Sequence, residues 1–455
     1  VVPGERVLTL LQNGIGTVET YFATLKAGGI VVPVNTRLAA DEIAYMIADS
    51  DPRLVVVDPT LAEEAREGAR LAGSEAPLLT VDELRAEVSD DLGDPRSEES
   101  DTAFLMYTSG TTGRPKGAMI THRGLVVHTF NLVATFGMTE PTERVLSGMP
   151  LFHIGGVDIL LYPLMGCGGT IMLDSTNFSA EDVVGIIERE RVTACFFVPT
   201  QADELCDVPD AARRAASLRR ICWGASNAPA SVVQKLLRTF PEISVFASFG
   251  QTEMSAATCV LDVRTAMDRL GSVGRPLINV EARIVDEDME DVGVGQVGEI
   301  VYNGPTVMKG FWRKPAETAA AFAGGWFHSG DLCRRDEQGY VYVVDRKKDM
   351  IISGGENIYC AEVEAAIATH PKVRDVAVIG VPHERWVETP LAVVTVMDPS
   401  DPPTLTEIVD HTRARLARFK APTQLEVVED LPRNAMGKVQ KFALRKDRSA
   451  GGATS

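Results

Sequence analysis

At the start of the chain, short apolar runs alternate with segments of helical period, and this alternation constrains the fold more than any other feature. Residues 6–11, 30–34 and 54–57 read as strands, and residues 17–27 and 40–48 as amphipathic helices. That order favours a parallel sheet with helices on its faces. Asn13-Gly14-Ile15-Gly16 follows the first strand and opens the first helix. Glu19 occupies the third glycine position of a dinucleotide fingerprint, so the segment reads as a tight strand-to-helix turn rather than a cofactor site. After a polar, acidic connection over 87–101, a strand is expected at 102–107, and β-α alternation continues to about residue 260. Shorter strands among glycine turns follow at 280–285, 298–301 and 340–344, which suggests an antiparallel section.

One core cannot organise all of this, because single cores stop growing near ~250 to 300 residues and the chain has 455. The charged break Asp345-Arg346-Lys347-Lys348-Asp349 lies between two apolar runs and marks the expected boundary. It separates a large domain, 1–345, from a small mobile one, 346–445, with a disordered Gly/Ser/Ala-rich tail at 446–455. The net charge is −18, yet residues from 346 onward hold 16 Lys+Arg against 15 Asp+Glu, so the acidity belongs to the large domain. Such a balance argues against nucleic-acid partners and anionic membranes, which require cations to offset phosphate. Seven scattered cysteines form no C-x-x-C pair, consistent with a reducing, cytoplasmic setting and not with a zinc site. The longest apolar runs fall short of the ~20 residues that span a bilayer, and no signal peptide opens the chain.

The sharpest local feature is Tyr107-Thr108-Ser109-Gly110-Thr111-Thr112-Gly113-Arg114-Pro115-Lys116-Gly117, between an apolar strand and a helix expected to begin near Thr121. Its glycines permit tight curvature while its hydroxyls and Lys116 supply donors, which is what a loop wrapping a polyphosphate requires. No Gly-Lys-Ser/Thr closes it, so it is not a Walker A loop.

This loop resembles the phosphate loop of the adenylate-forming enzymes, the superfamily of acyl-CoA synthetases, peptide-synthetase adenylation domains and luciferases. Further matches follow in the order that superfamily shows them: Gly224-Ala225-Ser226, Phe249-Gly250-Gln251-Thr252-Glu253, Gly271-Ser272-Val273-Gly274-Arg275-Pro276, Gly325-Trp326-Phe327-His328-Ser329-Gly330-Asp331, the 345–349 break, and Pro432-Arg433-Asn434-Ala435-Met436-Gly437-Lys438. The resemblance implies an adenylate-forming fold: a large N-terminal α/β domain with parallel-rich sheets and a β-rich portion, plus a small C-terminal α+β domain. It also implies that the chain starts inside a domain, because family elements normally precede a segment like Gly4-Glu5-Arg6-Val7.

Site residues carry over position by position. ATP would be held by Thr108, Ser109, Gly110, Thr111, Thr112, Gly113 and Lys116, by an adenine wall at Gly224, Ala225 and Ser226, and by Phe249, Gly250 and Gln251. Thr252 and Glu253 would serve the reaction, Glu253 as the Mg²⁺ ligand; Asp331 and Arg346 would hold the ribose. Lys438 would be the adenylation lysine, Lys348 the hinge, and Gly354 and Gly355 the approach to CoA. His153, in Pro150-Leu151-Phe152-His153, resembles the residue over the acyl carboxylate in CoA ligases. Around it, residues 154–157 and 256–257 contain no Arg or Lys, which favours an apolar tail and disfavours a second carboxylate.

The resemblance therefore implies an ATP-dependent acyl-CoA synthetase that uses ATP, Mg²⁺ and CoA on a fatty or aromatic monocarboxylate, and it leaves room for a homodimer. Two departures bear on CoA: Cys360 stands where the pattern has proline, and Val387 where it has glycine. A peptide-synthetase-type adenylation enzyme delivering to a carrier protein is the alternative. It would need an acidic residue for the substrate ammonium, and Phe152-His153 offers none. A non-catalytic nucleotide-binding module would lack Glu253 or Lys438, and both are present.

Overall fold

The computed structural model describes residues 1–86, 97–108, 114–161, 168–172, 178–224, 228–353, 356–433 and 439–449. Of the expected site residues, Ser109, Gly110, Thr111, Thr112, Gly113, Ala225, Ser226, Gly354, Gly355 and Lys438 lie outside the described residues.

The early alternation builds a six-stranded sheet from β1 (Arg6–Leu10), β2 (Ile30–Pro33), β3 (Leu54–Val57), β4 (Leu78–Leu79), β5 (Thr102–Thr108) and β6 (Lys116–Thr121). Its order is β4-β3-β1-β2-β5-β6, parallel throughout except for the antiparallel β5–β6 pair. The strands read as continuous aliphatic runs because helices cover the sheet's faces. Helix Ala40–Ser50 contributes Ile43, Met46 and Ile47 to one core with Leu8, Val32 and Val55. One strand escaped the expectation: β6 intervenes between the phosphate-loop segment and the helix His122–Phe136, whose N-cap is Thr121. The loop thus closes a hairpin in which Thr108 pairs with Lys116.

A second sheet runs β13-β12-β11-β10-β9-β7-β8. It is built from β7 (Arg144–Ser147), β8 (Gly169–Met172), β9 (Ala194–Phe197), β10 (Arg220–Trp223), β11 (Ser244–Gln251), β12 (Ala256–Asp262) and β13 (Arg275–Pro276). From β8 to β11 the pairs are parallel, and β11, β12 and β13 pair antiparallel, so antiparallel pairing begins earlier than the 280–344 section where the sequence suggested it.

Two further sheets follow. One is four-stranded, β14 (Glu281–Val285), β15 (Gly298–Asn303), β16 (Phe327–Arg335) and β17 (Val341–Arg346) in that order. The other runs β19-β18-β21-β20, from β18 (Ile351–Ser353), β19 (Glu356–Ile358), β20 (Val373–His383) and β21 (Val387–Val396), with β22 (Gln424–Val427) parallel to β21. Val363 and Ile367 of helix Cys360–Ile367 pack with Val378 and Val394 of this last sheet.

The chain divides into two compact units: residues 1–283, 301–328 and 338–341 in one, and 284–300, 329–337 and 342–455 in the other. The expected boundary at 346, the last residue of β17, falls inside the second unit.

Both departures from the CoA-ligase pattern have a local physical meaning. Cys360 is the first residue of its helix, a position where proline is favoured for its fixed φ but not required. Its buried thiol donates to Asp349 O at 2.9 Å, and burial pushes its pKa well up. Val387 has φ 71°, in the left-handed region that glycine adopts freely and β-branched residues avoid. Its side chain is 73% exposed, so it gains little packing in return. Val387→Gly should relieve roughly 1–2 kcal/mol of backbone strain, partly offset by about 0.5–1 kcal/mol of glycine entropy. A small rise in the thermal midpoint of the second unit is expected; a fall would show that the backbone at 387 is not held left-handed.

Candidate active site

In the first unit, helix Ala40–Ser50 grips both flanks of the hydroxyl-rich loop. The Tyr107 hydroxyl, before the loop, donates to Asp49 Oδ2 at 2.7 Å, and the Tyr45 hydroxyl donates to Pro115 O, after it, at 2.7 Å. Tyr45 and Asp49 stand four residues apart, on one helix face. Lys314 Nζ closes on Asp49 Oδ1 at 3.1 Å. Burial, followed by the hydrogen bond to the Asp49 carboxylate, raises the Tyr107 pKa far above that of an ordinary phenol, so it remains a donor. Arg114 stacks over Tyr45 and Lys116 lies 5.2 Å from the Phe311 ring centroid. Tyr45, Asp49 and Lys314 carried no motif, and only the tertiary structure identifies them as supports of the loop.

Thr108, the last residue of β5, donates its hydroxyl to Glu253 Oε1 at 3.1 Å. This contact joins the first residue of the phosphate-loop segment to the expected metal ligand. Gly224, Phe249, Gly250 and Gln251 cluster with them at the carboxyl ends of the parallel strands β10 and β11, the place where open α/β sheets bind ligands. Ser248 Oγ donates to Trp223 O at 3.0 Å across those ends, and a Cβ on Gly224 would lie 2.9 Å from that hydroxyl.

Glu253 sits in the one-turn 3₁₀ helix Thr252–Met254 between β11 and β12. The turn is tight enough that Ser255 and Ala256 take φ 61° and 116°, conformations costing on the order of 1–3 kcal/mol each. Met308 N donates to Glu253 O at 2.7 Å and Ser255 Oγ to Thr306 O at 2.8 Å, fixing the strained chain. A Cβ on Gly250 would approach Ala256 O to 1.9 Å, so only glycine fits beneath it.

Oxygen ligands of this kind suit Mg²⁺, which takes one or two carboxylates and leaves the remaining positions to phosphates and water. Among the described residues no group of three or more His, Cys, Asp or Glu could hold a metal alone. A single carboxylate beside the expected phosphate loop therefore fits a metal that arrives with a polyphosphate.

His153 caps helix Ile154–Leu160, its ring 4.7 Å from that of Phe152. Burial first, and then the Arg37 charge, holds its pKa down to about 4. Arg37 lies far away in sequence, so the local stretch gave no sign of a cation here. Val157, of the expected acyl wall, lines an apolar cavity of about 290 Å³ together with Tyr21, Phe104, Leu125, Leu160 and Leu161.

In the second unit Asp331, 1% exposed, meets Arg346 Nε through Oδ1 at 2.6 Å. Ser329 Oγ takes the Asp331 amide at 3.0 Å and donates to Ile300 O at 2.5 Å. Glu299 joins Gly330 N and Lys347 Nζ, both at 3.0 Å. The two expected ribose ligands are thus adjacent on β16 and β17, with exposed Lys348 just beyond. Two ion pairs secure the helix Lys441–Ser449 that follows residue 438: Lys441–Glu364 at 2.7 Å and Arg445–Asp349 at 2.8 Å.

Comparison with known proteins decides the family. The AMP-binding enzyme family matches residues 1–312, and the AMP-binding enzyme C-terminal domain matches 362–438. The chain belongs to the AMP-binding enzymes. It is 38% identical to a feruloyl-CoA synthase from an Amycolatopsis species, over 98% of this chain and 89% of that protein. It is 32% identical to the long-chain-fatty-acid–CoA ligase FadD13 of Mycobacterium tuberculosis, over 99% and 89%. The o-succinylbenzoate CoA synthetase of Bacillus subtilis, solved with the acyl-adenylate intermediate OSB-AMP, superposes with a TM-score of 0.87 at 32% identity, covering 98% of this AMP-binding enzyme and 89% of its relative. The same relative has been solved with ATP and a magnesium ion, at a TM-score of 0.86 and 32% identity over 98% and 90%.

Two measurements check this geometry. Gly250→Ala should abolish the Glu253 turn's conformation and with it ATP-dependent pyrophosphate release; a fully active Gly250→Ala protein would show that the turn is not fixed from below. For His153, a folded pKa of about 4 against the ordinary 6.5 means that the unfolded chain binds the proton more tightly. The stability from its neutral ring is therefore complete above pH 6.5 and is lost as pH falls towards 4. Ring NMR signals should stay those of a neutral imidazole from pH 8 to near 5; a midpoint near 6.5 would remove the ring from its buried, Arg37-facing place.

Proposed function

We propose that this AMP-binding enzyme is an acid–CoA ligase acting on an apolar monocarboxylate, aromatic or fatty, in the cytoplasm. The substrate carboxylate attacks the α-phosphorus of ATP, giving acyl-AMP and pyrophosphate; the CoA thiol then attacks the acyl carbonyl and releases AMP. The observation that carries the reading is the Thr108–Glu253 contact, which brings the phosphate-loop segment and the sole candidate metal carboxylate of the turn to one place.

Each residue has a part. The loop from Thr108 to Lys116 would hold the β- and γ-phosphates with its donors, and Gly224 to Ser226 would wall the adenine. Phe249, Gly250, Gln251 and Thr252 shape the turn that presents Glu253. When bound, Mg²⁺ would neutralise phosphate charge beside Glu253. Asp331 would accept the ribose hydroxyls, with Arg346 orienting its carboxylate. A neutral His153 would sit over the substrate carboxylate without forming an ion pair that would hold back its attack. Lys438 would stabilise the charge that develops at the α-phosphorus. We place the start of the small mobile domain at 346, with Lys348 as its hinge and Gly354 and Gly355 facing CoA.

The Arg37 charge near His153 favours a second reading, in which the tail carries another carboxylate, as in the acid named for the B. subtilis relative. A pyrophosphate-release panel separates them. Ferulate, benzoate and hexanoate should exceed 2-succinylbenzoate, because burying a second carboxylate away from a fully paired cation costs several kcal/mol. A preference for the dicarboxylate would hand the specificity to Arg37. Lys438→Ala should lose about 10² to 10³ in adenylation rate while still converting supplied acyl-AMP and CoA to thioester; equal loss in both half-reactions would refute its assignment.

A further inference from the structure

Helix His122–Phe136 begins one strand after the expected phosphate loop, and one of its faces meets Ser255 and Ala257, just beyond the Thr252–Met254 turn. Gly124 and His128 stand four residues apart on that face. Gly124 leaves room for the Ser255 hydroxyl, which an added Cβ would meet at 2.9 Å. One turn later His128, fully buried, accepts the Ala257 amide hydrogen at Nε2, 3.3 Å away. These contacts fall on Ser255 and on Ala257, so they bracket the strained residues Ser255 and Ala256, which begin two residues after Glu253.

The ring's other contacts sharpen the point. When Nε2 accepts from Ala257 the ring proton sits on Nδ1, which is buried without a hydrogen-bond partner among the described residues. An unsatisfied buried donor is costly and calls for a reason. The Asp158 carboxylate, also buried, stands 3.5 Å from the same Nε2, on the helix that His153 caps. Packing alone would be served better by an apolar side chain. The histidine supplies what such a residue lacks, an acceptor aimed at the one amide that fixes the exit of the metal-ligand turn.

We propose that His128 is a positioning residue for the metal site: with Gly124 it holds the Ser255–Ala257 backbone so that Glu253 projects where Mg²⁺ bound to ATP can be met. This rests on the reading of Glu253 as the metal ligand. A supporting residue of this kind typically alters metal affinity by about 10- to 100-fold when removed.

The test measures equilibrium binding without turnover: Mn²⁺ titrated, with EPR detection, into the protein holding a non-hydrolysable ATP analogue. His128→Leu should weaken Mn²⁺ binding about 10- to 100-fold, and His128→Gln, which restores an acceptor oxygen, should recover most of it. Gly124→Ala should show the same weakening with an unchanged or higher thermal midpoint, because alanine favours the helix while its Cβ displaces Ser255. The KM for the acid should stay constant in all three. Glu253→Gln is the reference: parental Mn²⁺ affinity there overturns the metal reading itself. Loss in Glu253→Gln with parental affinity in His128→Leu and Gly124→Ala overturns the positioning role alone. Should His128→Leu fail to fold, Gly124→Ala decides by the same criterion.

Discussion

A hydroxyl-to-carboxylate bond between Thr108 and Glu253 ties the end of one sheet to the end of another, and the organisation of the first unit can be followed outward from it. For the two groups to meet, β5 must end where the phosphate-loop hairpin begins, and β11 must turn back on itself within four residues. The first condition is met by Tyr45 and Asp49 gripping the hairpin from a neighbouring helix. The second is met by a glycine under the turn and two residues in backbone conformations that tertiary contacts alone sustain. A carboxylate placed in this way is rigid before any ligand arrives, which is what electrostatic preorganisation requires.

Much of the molecule was legible in the order of its residues. Strands rich in Val and Ile, separated by helices of amphipathic period, favoured a parallel sheet, and Leu54–Val57 appears at the expected bounds. The loop and the segment ending in Glu253 stood out because the phosphate and metal chemistry expected of them restricts residue types narrowly. Strand β6 was not read, because Lys116 and Gly117 look like loop until they pair with Thr108 and Tyr107. Arg37, Asp49 and His128 were hidden for a different reason. Each acts on a residue distant in sequence, through a geometry that leaves no local pattern.

Val387 shows the reverse. The resemblance placed a glycine there, and the backbone still has the torsion a glycine would take, although the side chain is β-branched. The hairpin geometry of β20 and β21 therefore dominates over the preference of one residue, as expected where nine cross-strand pairs, from Asp375–Thr395 to His383–Val387, share one register.

The path of the backbone between the two units has a consequence for how such a protein can be divided. The chain passes from one unit to the other at 283/284, 300/301, 328/329, 337/338 and 341/342. Neither unit is a single stretch of sequence, so a single cut at any one of these crossings leaves at least one unit divided between the two parts. A cut after 341 transfers everything from Tyr342 onward, all of it from the second unit, as a block. The segments 284–300 and 329–337 stay behind with the donor of the larger part. Asp331 and Arg346 would then come from different parents, and their 2.6 Å contact makes each recombinant a direct trial of whether two lineages agree about this ion pair.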